Sequence, residues 1–315
     1  MDRLFAEAAQ FLTECKDALI LTHQAPDGDT LGSAFALQGA LRLMGKKARV
    51  ICHDSFPEKF KFITSHNDDD GDFEAQNIIA VDVADPRLLG EKLDGYKDKV
   101  DFCIDHHASN VQYAKNTLVI PEASATCEVL FRLFEQMQIT PTLHMATCLY
   151  TGIATDTGCF KFSNTTIDTH IAAAVLIAYG VDYAWINRQM FDVKTKERIK
   201  LESFLGGQTE YFFDDRVALI AVTTDIQKEY SMTPNDFDGI SALTTRVESV
   251  EIGIVIKQRG EKTFKISMRS TGNVNVGKLC VALGGGGHAK AAGCLLNGTF
   301  EEVKEKLIKC AGEAL

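Results

Sequence analysis

The chain has 315 residues, 45% of them hydrophobic, and carries a formal net charge of −10. That length can bury a substantial core and predicts about two domains, while no apolar run approaches the ~18 residues of a membrane span, and the start lacks a basic segment leading into an apolar one; the cytoplasm is the expected location. Long nucleic acids call for a basic face, so an anionic substrate of this acidic chain has to be small or held in a local basic pocket.

Apolar positions at Leu4, Phe5, Ala8, Phe11, Leu12 and Cys15 have helical spacing. The apolar run Leu19-Ile20-Leu21 reads as a buried strand ending at His23, and a polar turn with Asp27 and Asp29 leads into a helix over Leu31–Met44, closed by Gly45. The strand Ala48–Cys52 completes a βαβ unit. One imidazole and two carboxylates thus crowd a loop at a strand's carboxyl end, where open α/β sheets bind ligands. A divalent cation would remove their mutual repulsion. The plainer reading is an ordinary turn at Pro26-Asp27-Gly28 with Asp29 or Thr30 capping the helix.

Pro57 marks a helix start within Asp54–Ile63. The acidic run Ser65–Asp72 departs from a calcium loop in the place of its glycine and in lacking a closing Glu, so it reads as a solvated surface loop. A buried strand Asn77–Val81 delivers Asp82, and another, Val100–Ile104, delivers Asp105, His106 and His107. A single Asp after a strand is ordinary, whereas three strands that each end in His or Asp are harder to read as chance strand ends. The strand Thr117–Ile120 precedes helices over Ser124–Met137 and from Pro141 to Thr155, the second running into Asp156-Thr157-Gly158. Helices follow at Thr166–Tyr179 and around Trp185–Phe191. The charged stretch Lys194–Lys200, ending at Gly206-Gly207, reads as a linker helix, which divides the chain into domains 1–190 and 206–315 joined by 191–205.

Beyond the linker, Glu210–Phe213 with Val217–Ala221, and Glu251–Arg259 with Thr263–Met268, read as hairpins. A short helix Val276–Leu283, the run Gly284-Gly285-Gly286-Gly287-His288, a strand Ala292–Leu296 and a helix from Thr299 complete a smaller α+β domain. The glycine run superficially fits G-x-G-x-x-A but follows a helix instead of a strand, the wrong context for a dinucleotide fingerprint. Four glycines before a histidine predict backbone that approaches a phosphate closely, an anion nest, against the alternative of a loose helix end. The nine cysteines contain no C-x-x-C pair, which predicts reduced, mostly buried thiols and neither a disulfide frame nor a structural zinc site.

The candidate site residues of the first domain are His23, Asp27, Asp29, Asp82, His106, His107 and Asp156, with Asp105 beside them. Imidazoles among carboxylates, without cysteine, favour a harder ion such as Mn²⁺, Mg²⁺ or Co²⁺. The set is larger than one ion takes from protein, and suits two ions ~3.5–4 Å apart that share a carboxylate and a water and perform phosphoryl transfer without a Ser or Cys nucleophile. Asp27-Gly28-Asp29-Thr30 also resembles the D-x-D-x-T of haloacid-dehalogenase phosphatases. There the first Asp directly ends the strand, whereas here His23-Gln24-Ala25-Pro26 intervenes, and His106 and His107 would have no role.

The series His23-x-x-Pro26-Asp27-x-Asp29-x-x-Gly32-Ser33, Asp82, Asp105-His106-His107-x-x-Asn110 and Asp156-Thr157-Gly158 resembles the ordered motifs of the DHH phosphoesterase superfamily. Arg269-Ser270, Val274-Asn275-Val276 and the stretch Gly284 to Gly293 resemble its DHHA1 partner domain, so the likeness covers nearly the whole chain. The resemblance implies an α/β fold, an N-terminal doubly wound, mostly parallel sheet (DHH) plus a smaller α+β C-terminal domain (DHHA1), with a cleft between them. It further implies that His23 and Asp27 bind one manganese, that Asp29, His106 and Asp156 bind the other, and that Asp82 bridges. His107 would contact the scissile phosphate or leaving group, and Asp105 would orient a histidine. Arg269, Ser270, Gly286, Gly287 and His288 would hold the other phosphate or the terminal nucleotide.

The activity so implied is hydrolysis of short RNA or DNA oligonucleotides and removal of the 3′-phosphate from 3′-phosphoadenosine 5′-phosphate (pAp), by a homodimer. The alternatives are linear or cyclic dinucleotides (pApA, c-di-AMP), inorganic polyphosphate or pyrophosphate, and a non-catalytic nucleotide sensor, though no metal ligand is missing. The length leaves no room for the OB-fold of RecJ-like long-DNA exonucleases or for the sensory and membrane segments of c-di-AMP phosphodiesterases, so neither long nucleic acid nor membrane is an expected partner.

Overall fold

The computed structural model describes residues 2–65, 67, 70–232, 237 and 239–315; within the acidic run, His66, Asp68 and Asp69 lie outside the described residues. Two compact units divide the chain, Met1–Val193 and Lys194–Leu315.

In the first unit, β1 (Ala18–Leu21), β2 (Ala48–Ile51), β3 (Asn77–Val81), β4 (Phe102–Asp105) and β5 (Asn116–Val119) form a parallel sheet in the order β2-β1-β3-β4-β5. Both faces of the inner strands are covered, which is why they read as unbroken apolar runs. Ile20, Ile79, Val81, Phe102 and Ile104 face a large core shared with the helices Asp2–Glu14, Gly28–Leu43, Thr126–Gln136 and Leu143–Asp156. Leu21, Ala80 and Cys103 face a smaller one with Val83, Leu89 and Leu93. The chain leaves β1 for β2 on one side and returns to β3 on the other, so the crevice at the carboxyl ends of β1 and β3 is the switch point of the fold.

The helix after β1 begins at Gly28, earlier than Leu31, and its cap is neither Asp29 nor Thr30 but Asp27, whose Oδ1 accepts from the N–H groups of Asp29 and Thr30 at 3.0 and 3.1 Å. That cap leaves the Asp29 side chain free to turn into the interior. The helices Gly28–Leu43 and Leu143–Asp156 run so close that a Cβ at Gly32 would lie 2.5 Å from the Cys148 carbonyl oxygen, and one at Gly152 only 2.8 Å from Oδ1 of Asp29.

In the second unit, β6 (Glu210–Phe212), β7 (Val217–Val222), β8 (Ile252–Gly260), β9 (Thr263–Ser270), β10 (Gly286–Gly287) and β11 (Ala291–Asn297) form a mixed sheet in the order β10-β11-β9-β8-β7-β6, with only β7 and β8 parallel. Val276 and Cys280 of the helix Val276–Ala282, with Val303 and Leu307 of Phe300–Gly312, cover one face. On the other, Leu201 and Leu205 of the helix Lys196–Gly207 pack with Ile220, Val222, Ile240 and Val255, so the helix expected as a linker is built into this unit. The glycine run is in part a strand: Gly286 and Gly287 pair with Gly293 and Ala292. Gly287, at φ +136°, is there because a Cβ would meet the Ala292 Cα at 2.5 Å. All nine cysteines are free thiols, and Cys15, Cys103, Cys127, Cys148, Cys280 and Cys294 are buried. Among the described residues no helix is long and apolar enough to cross a membrane.

Candidate metal centre

The carboxyl ends of β1, β3 and β4 deliver His23, Asp82 and His106 to one place, joined by Asp27 and Asp29 from the start of one helix and Asp156 from the end of another. Two sets of three could each hold an ion, His23 with Asp27 and Asp82, and Asp29 with His106 and Asp156; the donor atoms within each set lie within 4.8 Å of one another. Asp82 stands between them. Its Oδ2 is 3.7 Å from His23 Nε2 and its Oδ1 is 3.8 Å from His106 Nε2. Asp82 reaches this position in the left-handed region, φ +58°, where a short polar side chain is the tolerated exception to glycine.

Each imidazole is aimed by a backbone carbonyl. Nδ1 of His23 lies 2.8 Å from the Gln24 oxygen and Nδ1 of His106 lies 3.1 Å from that of Ala123. A proton held there leaves the Nε2 lone pair of each ring facing the carboxylates, as a metal ligand requires. His107 differs. Its Nδ1 is 2.7 Å from Asp105, so although Asp82 and His106 could form a third set with it, that nitrogen is already engaged and the ring is half exposed. Asp105 is fully buried and accepts from the N–H groups of His106 and His107 and from Asn110 Nδ2 as well, which leaves it an orienting group.

The electrostatics show what the cluster lacks. Burial, then the charges of Asp82 and Asp156, raise the Asp29 carboxyl well above the ordinary range. Burial and the carboxylates Asp82 and Asp27, against the pull of His106, raise Asp156 to about 6. Asp156 also ends its helix, where the macrodipole disfavours negative charge. His23 is pushed up to about 11, since burial is outweighed by its bonds to Asp27 and Asp82. In return Asp27, despite its burial, is held below the usual carboxylate range by His23. Carboxylates so crowded, with two imidazole lone pairs among them, are a donor set for hard or borderline divalent cations.

One participant escapes any reading of the sequence. The helix Thr126–Gln136 has Ala125 at its cap position and no capping side chain of its own. Asp29 supplies the cap from across the fold, accepting from the Thr126 and Cys127 N–H groups at 2.6 and 2.9 Å. The poor capping residue Ala125 is the only sequence signal of this arrangement.

In the second unit, Ala291 pairs with Arg269 on β9 and its N–H donates to the His288 carbonyl, so Arg269 and His288 lie on backbone segments joined through Ala291. Ser270 is not brought to the Arg269 side. It is buried, alternates to the opposite face, and lies 3.4 Å from the Gly272 carbonyl through its hydroxyl.

Residues 17–153 match the DHH family, N-terminal domain, and residues 218–315 match the DHHA1 domain. The bifunctional oligoribonuclease and PAP phosphatase NrnA of Thermus thermophilus is 29% identical over 94% of this chain and 89% of its own length. The cyclic-di-AMP phosphodiesterase GdpP of Bacillus subtilis is 27% identical over 95% of this chain, which spans 48% of that longer protein. The crystal structure of an exopolyphosphatase-related protein from Bacteroides fragilis superposes with a TM-score of 0.88 at 25% identity, over 99% of this chain and 96% of that one.

Proposed function

Because this chain belongs to the DHH family of hydrolytic phosphoesterases, with a DHHA1 domain behind its DHH domain, we propose that it is a two-metal phosphohydrolase, using Mn²⁺, that degrades short oligoribonucleotides from one end and removes the 3′-phosphate of pAp. The observation that carries this reading is the position of Asp82, with one carboxylate oxygen toward each set of three donors.

In this reading His23 and Asp27 hold one ion, Asp29, His106 and Asp156 hold the other, and Asp82 joins them. Bound divalent ions supply an activated water and neutralise charge on the phosphate oxygens. His107, fixed through Nδ1 by Asp105 and raised to about 9 by that bond against the effect of burial, is charged at neutral pH, so its outward Nε2–H can donate to the leaving oxygen. Asp105 keeps that ring in one orientation. Arg269 and His288 bind a further phosphate of the substrate, the Arg through its planar fork. The likeness to the Thermus relative supports the oligonucleotide and pAp substrates. The Bacillus relative supports a second reading, hydrolysis of linear or cyclic dinucleotides.

The test is a time course of products from a 5′-labelled RNA trinucleotide and from pAp, with added Mn²⁺. Mononucleotides from the trimer and AMP from pAp are expected. If neither reacts while c-di-AMP, pApA or tripolyphosphate does, the proposed substrates fall and the metal chemistry stands.

A further inference from the structure

A cationic row runs along the C-terminal sheet, on the face away from the helices Val276–Ala282 and Phe300–Gly312. Lys257 on β8, with Lys265 and Arg269 on β9, alternates with the buried Ile256, Ile266 and Met268, so the three share that face, and Arg259, at a bulge between Gln258 and Gly260, lines the same cavity. Lys257 pairs directly with Lys265, and Arg269 with Gly253, so Arg269 lies four residues along the ladder from the lysine pair, about 13 Å at ~3.3 Å per residue, with Arg259 on the other side of that pair at the bulge. Together with Ser267 and Phe237 these side chains line an open cavity of about 300 Å³.

Among the described residues no carboxylate offsets this charge; the Phe237 ring is the one partner of the Lys257 ammonium there. Among the described residues the cavity lining holds no carboxylate, and none of the four cations makes an ion pair. Like charges directly opposite on neighbouring strands destabilise a sheet, and burial with the charges of Arg259 and Lys265 draws Lys257 down to about 8. Such an arrangement, in a chain of net charge −10, is a local basic pocket of the kind an anionic ligand needs. Its length exceeds what a single phosphate can use. Phe237 also lines the cavity, with the Lys257 ammonium over its ring.

We propose that the row formed by Lys257, Arg259 and Lys265, leading to Arg269, binds the phosphodiester backbone of an oligonucleotide at phosphates other than the one hydrolysed. This rests on the reading of the chain as an oligonucleotide hydrolase. It makes the row a determinant of substrate length, since pAp, a single nucleotide, has no backbone to lay along it.

The test compares the wild type with a Lys257→Gln, Arg259→Gln, Lys265→Gln triple variant and with Lys265→Gln alone. It reads binding of a 5′-labelled pentaribonucleotide in EDTA, pAp hydrolysis in Mn²⁺, and thermal unfolding. Binding should weaken tenfold or more in the triple variant and in part in the single one, with a salt slope lower by about 2, from about 0.7 per lost contact on a single strand. Hydrolysis of pAp should stay within twofold, and the unfolding temperature should hold or rise as the Lys257–Lys265 repulsion is removed. Unchanged pentamer binding, or pAp hydrolysis falling in step with it, would overturn the row as a separate subsite. Displacement of the pentamer from the wild type by equimolar tripolyphosphate as readily as by unlabelled pentamer would also overturn the nucleotide assignment. A wild type that neither binds nor cleaves the pentamer, while still hydrolysing another phosphate ester, would fail the underlying reading and the row's assignment with it.

Discussion

The Thr126 hydroxyl donates a 2.9 Å hydrogen bond to Oδ1 of Asp82, while the backbone N–H of the same residue donates to Asp29. One residue thus holds a carboxylate of each donor set. Thr126→Val keeps the shape and the backbone bond but removes the hydroxyl, so the fold should survive at a cost of about 1 kcal/mol, while Mn²⁺ affinity by calorimetry falls about 10- to 100-fold, as when outer partners of metal ligands are lost. Thr126→Ser should restore it. Affinity equal to wild type would detach Thr126 from the centre.

Asp82→Asn is the sharper test of the shared carboxylate. Asn tolerates the left-handed backbone at this position, so far-UV circular dichroism should be unchanged. Turnover should drop by at least about 10³-fold, the scale of an electrostatic group lost from a reacting centre, and bound metal should fall below two equivalents. Retention of most activity would refute the dinuclear assignment.

How much of this was legible in the sequence depends on the range of the interactions. The inner strands were readable because burial on both faces makes Asn77–Val81 an unbroken apolar run, and a polar residue then marks its end at Asp82. The role of Thr126 was not, because a threonine at a helix start looks like a local cap, whereas the real cap comes from Asp29, 97 positions away. Gly286 and Gly287 have no intrinsic strand preference and pair only because β11 offers them an edge. The opposite orientations of Arg269 and Ser270 follow from strand alternation, yet a motif read as a unit conceals them.

The bond between His107 and Asp105 sets an expected pH limb. With His107 raised to about 9 by Asp105, a charged His107 acting as donor stays competent at neutral pH and fails as pH rises through that value. Asp105→Asn removes the carboxylate that raises it. The basic limb of kcat against pH should then move to lower pH, toward the ordinary histidine value near ~6.5, with kcat at pH 8 reduced about tenfold or more. A limb that stays near its wild-type position would exclude His107 as the titrating donor.

Ion binding should be visible as proton release. Without metal, His23 at about 11 holds a proton at pH 7 that it must lose to become a ligand, and the upward shift of Asp29, from burial and the charges of Asp82 and Asp156, opposes its charged, ligating form in the same way. Calorimetry in buffers of different ionisation enthalpy should therefore record at least about one proton expelled as Mn²⁺ binds, and affinity should climb with pH. Adding EDTA to protein held in free Mn²⁺ at 100 times the dissociation constant should remove about 2.7 kcal/mol of stability per site. No proton release would contradict the ligand set.

The strand order β2-β1-β3-β4-β5 also fixes when the centre can exist. Its donors come from segments between His23 and Asp156, and none of the sets of three is local. Parallel pairing of distant segments is slow to form. A nascent chain has no complete centre until Asp156 has left the ribosome and its helix has docked beside Gly28–Leu43, so ion uptake during synthesis would mark the moment the N-terminal unit is finished.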